Sequence, residues 1–193
     1  MTNFDKAETH NHMFLTRNRV GLGRILHLRN ITPLVKTSQY QVVRMNRDTL
    51  YSSCVLDLTS PATFEIPPSN GVYMSLYVLD EDHYSIGTIY TDRTTITKGT
   101  ISYGVKKDTS KNSNEIVSTT RYVYIIIRTL ANPYEPADLA RAHTLQNQVS
   151  FTQANVGELK LPNWDLVSLS VVREMFTPLP EYLEPGTGVV GYR

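Results

Sequence analysis

An arginine inside an otherwise apolar run is the first residue of this chain whose type and setting point to chemistry. Residues 122–130 read Tyr-Val-Tyr-Ile-Ile-Ile-Arg-Thr-Leu, and Arg128 shares its alternating side with Tyr122, Tyr124 and Ile126. A guanidinium held there needs a carboxylate or a ligand, because burying it unpaired is costly. Asp48 and Asp57 are the candidate partners; left free, the planar fork would grip a carboxylate or phosphate at two points. The corner Asn46-Arg47-Asp48-Thr49, with Tyr51 just beyond, gathers an amide, a carboxylate, a hydroxyl and a phenol at a strand end. Such a corner either satisfies its own main chain as a turn or lines a pocket.

His83, in Asp80-Glu81-Asp82-His83-Tyr84, is the best-placed general base, although acidic neighbours favour its charged form and oppose that role near neutrality. Ser52, Ser53 and Cys54 become nucleophiles only beside such a base. The sequence carries no nucleophile elbow, phosphate-loop glycine run or dinucleotide fingerprint. Asp80, Asp82 and His83 lie too close along the chain to converge on one ion, and His10 and His12, two apart, point to different helix faces. No metal and no cofactor are expected.

These residues need strands to position them. Val42 and Val43 are β-branched, and Leu50–Leu58 alternates, placing Leu50, Ser52, Cys54, Leu56 and Leu58 on one face and Tyr51, Ser53, Val55 and Asp57 on the other. Further strands are expected at 41–44, 63–66, 72–79, 84–90, 94–97 and 122–130, with Asn70-Gly71 as a tight turn. Residues 5–28 carry a loose helical period broken at Gly21 and Gly23, and residues 98–120 are too polar for core and read as a surface loop. Pro136 opens a helix to about Val149, on which His143, Gln146 and Asn147 lie one turn apart and can anchor a loop. Asn163 caps a second short helix through Met175, next to Trp164, the only tryptophan. Short strands punctuated by such turns predict an antiparallel β sandwich.

The run Asn46-Arg47-Asp48-Thr49-Leu50-Tyr51-Ser52, then Asp57-Leu58 and Phe64-Glu65-Ile66-Pro67, resembles the family known as domain of unknown function 1254. Tyr73-Met74-Ser75-Leu76, Asp80 to Tyr84, Arg121-Tyr122-Val123, Arg128-Thr129 and Asp138 to Asn147 continue the resemblance in order, over roughly Gln39 to Phe176. The resemblance implies a jelly-roll-like β sandwich and no agreed chemistry. Members of the family commonly continue into a second β domain, domain of unknown function 1214, so a partner supplying that missing second domain, or a homodimer, is expected here.

At 193 residues the chain suits one domain able to bury its own core. The expected division is an N-terminal helical segment over 1–32, a β sandwich with packed helices over 33–176, and a tail rich in proline and glycine over 177–193. A net charge of +1 argues against a general nucleic-acid surface. No apolar run approaches the ~20 residues that span a bilayer, so no membrane partner is expected. One cysteine and no secretory pattern at the N-terminus make the cytoplasm the expected compartment. The functional expectation is binding of a small polar or anionic molecule through Asn46, Asp48, Thr49, Tyr51, His83 and Arg128. A hydrolase using a serine or tyrosine with His83 and an aspartate, and a non-catalytic scaffold docking a partner, stand as alternatives.

Overall fold

A computed structural model describes residues 15, 18–30, 46–91, 94–104, 114–160, 165, 167–168 and 171. The expected 41–44 strand, Trp164 and the 177–193 tail lie outside the described residues. Among the described residues nine strands form two sheets. One has five strands: β1 (Leu26–Leu28), β2 (Thr49–Asp57), β8 (Tyr122–Leu130), β4 (Met74–Asp80) and β5 (Ser85–Tyr90), adjacent in that order. The other runs β7 (Glu115–Ser118), β6 (Thr97–Tyr103), β3 (Ala62–Ile66) and β9 (Ser150–Gln153). A helix, α1, covers Pro136–Gln148.

The longest strands, β2 and β8, pair antiparallel over their full length at the middle of the larger sheet, as expected for runs rich in β-branched and aromatic residues. Alternation then sorts their side chains. Val123, Ile125 and Ile127 of β8 meet Cys54 and Leu56 of β2, Leu76 and Val78 of β4, and Phe64, Ile66 and Ile101 of the smaller sheet in one buried core. Because both sheets contribute to that core, they pack face to face. One flank closes tightly: a Cβ on Gly99 of β6 would stand 2.1 Å from Ile89 Cδ1 of β5, a space only glycine leaves free. Leu145 and Val149 cover the core from the helical end, while Ala142 and Leu139 join Leu50 and Ala131 in a smaller cluster.

Several expectations change. Leu26–Leu28 is an edge strand rather than the end of a helix; Gly23, at φ +66, ends the helical period, and its N–H donates to Val55 O, extending the pairing with β2. The polar 98–120 stretch contains most of β6 and all of β7, paired parallel to each other, so the sheets are not purely antiparallel. Its hydrophobic content is low because each strand needs only alternate apolar side chains; Ile101 and Ile116 supply them. Asn70 and Gly71 both take positive φ, as a tight turn requires, but the strands they join lie in different sheets and form no hairpin.

Candidate anion-binding face

The side chains of the larger sheet that point away from the core form a second face, buried at Ser53, Val55 and Ser75 and half-buried at Tyr51, Tyr77 and Arg128. Antiparallel register fixes the neighbours of Arg128: Tyr51 on β2 and Ser75 on β4 are its partners, Leu28 lies opposite Tyr51, and Tyr90 lies opposite Ser75. One row therefore crosses all five strands as Leu28, Tyr51, Arg128, Ser75 and Tyr90. The adjacent row is Leu26, Ser53, Ile126, Tyr77 and Thr88. Arg128 is the only charged residue in either row.

Arg128 places its guanidinium carbon 5.3 Å from the centroid of the Tyr77 ring. Its Nε is buried and meets no acceptor, and no ion pair among the described residues involves it. The Tyr73 hydroxyl donates to Ser75 Oγ at 2.9 Å, and the Tyr73 and Tyr90 rings meet edge to face at 6.2 Å, both exposed. Arginine on a tyrosine face gains a modest attraction that depends on desolvation and leaves the hydrogen-bonding edge of the fork unused.

Neither expected aspartate pairs with Arg128. Asp57 ends β2 opposite Tyr122, at the far end of β8, and is claimed by Arg121, whose Nε and Nη2 reach its two carboxylate oxygens at 2.9 and 2.7 Å. The N–H groups of Thr59 and Glu158 donate to the same carboxylate. Burial alone would raise the Asp57 carboxyl; the Arg121 bond, the two N–H bonds and the arginine charge outweigh it and hold the group below the usual carboxylate range. Asp48 is exposed and accepts from Thr49 Oγ1 at 3.0 Å, while its carbonyl accepts from Ala131 N–H. The corner is thus partly a self-satisfying turn.

Of the six residues expected to bind a ligand, Thr49, Tyr51 and Arg128 share the outward face at one end of the sheet, Thr49 opposite Leu130. Asn46 and Asp48 are exposed beside that end. His83 is not brought to it. It follows β4, whose last residue, Asp80, lies opposite Val123, five residues or about 17 Å along β8 from Arg128. There Asp80 accepts from Tyr84 N–H, and burial pushes its carboxyl up. Among the described residues no three His, Cys, Asp or Glu side chains converge for a metal ion. Sequence reasoning missed Tyr77, Ser75, Tyr73 and Tyr90; the alternation of residues 73–77 held the signal, but only cross-strand register connects it to Arg128.

The serine that does meet a histidine is Ser52, whose Oγ lies 2.7 Å from His27 Nδ1 rather than near His83. Ser52 is fully buried and accepts from Gln146 Nε2 at 3.1 Å, so its hydrogen is left for a neutral His27. Burial first, then the charge of Arg29, lowers the His27 pKa and favours that neutral form. Gln146 also donates to Leu28 O and Tyr51 O, Arg29 donates to His143 O and Gln146 Oε1, and His143 Nε2 lies 2.8 Å from Arg29 O. The helical trio His143, Gln146 and Asn147 anchors the β1 segment, as its spacing suggests.

The family model described as protein of unknown function (DUF1254) matches residues 25–153, which span β1 through β9. The chain belongs to the DUF1254 family. Among curated proteins none matches it. Among solved structures this DUF1254 chain is similar to the VPA0106 protein from Vibrio parahaemolyticus, at 17% identity and a TM-score of 0.60 over 84% of this chain and 39% of that one. A weaker likeness, at 8% identity and a TM-score of 0.45, joins it to an uncharacterized protein from Burkholderia cenocepacia, over 88% of this chain and 45% of that one. The chain thus spans less than half the length of either structure. No helix among the described residues is long and apolar enough to cross a membrane.

Proposed function

We propose that this DUF1254 chain is a jelly-roll-like β sandwich that binds a small polar or anionic molecule on the outward face of its larger sheet. Arg128 is the charge-bearing contact, with Tyr51 and Thr49 beside it. The observation that carries this reading is the buried Arg128 Nε with no acceptor, on a guanidinium that faces no carboxylate among the described residues. A partly desolvated cation with no carboxylate beside it is destabilising, and an anion docking on the guanidinium offsets that penalty. A second copy of the chain, or a partner domain laid over the exposed Tyr73, Tyr90 and Leu130, would screen the site from water and strengthen the interaction.

Thermal unfolding of the protein and its Arg128→Gln variant in a panel of small carboxylates and phosphates tests the proposal. A ligand that binds only the native state raises its melting temperature by mass action. The expected result is a rise with at least one anion for the wild type and none for the variant. Equal rises in both proteins, or none in either, would overturn it.

A further inference from the structure

The row that holds Arg128 also describes what should be attached to the anion. Five side chains, one per strand, cross the sheet as Leu28, Tyr51, Arg128, Ser75 and Tyr90, a span of four interstrand spacings or about 19 Å. Leu28 and Tyr90 at its ends are exposed, as is Tyr73, which leans over Ser75 and meets the Tyr90 ring edge to face. Charge along this row and the next is confined to one guanidinium; every other member is aromatic, aliphatic or a hydroxyl.

We propose that the ligand is a monocarboxylate with a flat aromatic body, a refinement that rests on the anion-binding reading above. Three observations converge on it. A single cation balances a single negative charge, whereas a phosphate dianion would leave charge uncompensated on an apolar surface. Tyr77 covers one face of the guanidinium and leaves its coplanar N–H donors to a ligand, the geometry that a carboxylate matches at two points. The tyrosines on both sides of Arg128 present rings against which an aromatic body packs edge to face or offset, while a short aliphatic acid would leave them wet. The carboxylate sits on Arg128 and the ring extends toward β5, where Tyr73 and Tyr90 already form an aromatic pair.

Titration calorimetry of the full chain with acetate, benzoate, 2-naphthoate and inorganic phosphate, repeated on Arg128→Gln and Tyr90→Ala, tests this. Benzoate is expected to bind at least about tenfold more tightly than acetate, and naphthoate more tightly again, since burying one ring is worth more than the roughly 1.4 kcal/mol that a factor of ten requires. Arg128→Gln should abolish binding of all the carboxylates. Tyr90→Ala, at a position 62% exposed and therefore harmless to folding, should weaken naphthoate and leave acetate unchanged. If acetate or phosphate binds through Arg128 as tightly as benzoate, the aromatic body is wrong and the anion site stands. If no anion binds, or if aromatic acids bind equally well to Arg128→Gln, both readings fall.

Discussion

Arg121, not Arg128, holds Asp57 in a two-point ion pair. Asp57 is fully buried and Arg121 about one-third exposed, and the pair ties the start of β8 to the end of β2 and to Glu158. Replacing Asp57 with Asn should therefore lower stability by about 2 to 3 kcal/mol, less than for a fully buried pair because water can still reach Arg121. Asp48→Asn, at an exposed corner, should stay within about 0.5 kcal/mol of wild type. Urea unfolding of the two variants decides which aspartate carries structural weight; equal losses would contradict this assignment.

Gly157 explains why the same carboxylate depends on backbone shape. It adopts φ +74, and a Cβ there would fall 2.2 Å from Asp57 Oδ2. Gly157→Ala combines that collision with a left-handed dihedral and should cost about 2 kcal/mol or more. Gly71→Ala, also at positive φ but with nothing within 4 Å of the added atom, should cost only about 1 kcal/mol, from the dihedral alone. Comparison of the two melting temperatures checks the difference.

The pH dependence should have two limbs. The His27 pKa is lowered in the folded state, so the unfolded chain takes up its proton first, and stability falls as pH drops below about 6.5, the ordinary histidine value. The Asp57 carboxyl is also lowered, so its contribution is complete above about 4 and is lost as pH falls further. His27→Gln, which keeps an acceptor for Ser52, should flatten the first limb and leave the second. Melting curves from pH 7 to pH 3 on both proteins would show this; an unchanged first limb in the variant would assign it to another group.

Gln146 should behave as the fastening of β1. It is fully buried, donates to Leu28 O, Tyr51 O and Ser52 Oγ, and accepts from Arg29. Gln146→Leu fits the volume but strands those partners, and should destabilise by about 2 to 3 kcal/mol. Hydrogen exchange should show the β1 amides losing more protection than those of β3; uniform loss would mean that Gln146 supports the whole core instead.

What could be read from the sequence was what local pattern determines. Residues 122–130 and the Leu50–Asp57 alternation appear as strands nearly to the residue, and Pro136 marks the start of α1. The pairing of Asp57 with Arg121 was hidden because it follows from the β2–β8 register, which sets Asp57 against Tyr122 and leaves Arg128 opposite Tyr51. That register, with those of β4 against β8 and β5, assembles Tyr51, Arg128, Ser75 and Tyr90 from four stretches that carry no mutual signal along the chain. Leu26–Leu28 carries no strand signal because three residues are too few to show a period of two, and its place in the sheet is set by Gln146 and Arg29 rather than by its own pattern.

The most direct measurement of the Arg128 site is the nuclear magnetic resonance signal of its Nε–H group, assigned by its loss in Arg128→Lys, during titration with benzoate. A carboxylate docking on the fork should move this signal progressively to saturation, while that of Arg121, whose Nε already donates to Asp57, stays in place. An Arg128 signal that remains fixed throughout the titration, or that moves no more than Arg121, would contradict an anion-binding role for this face.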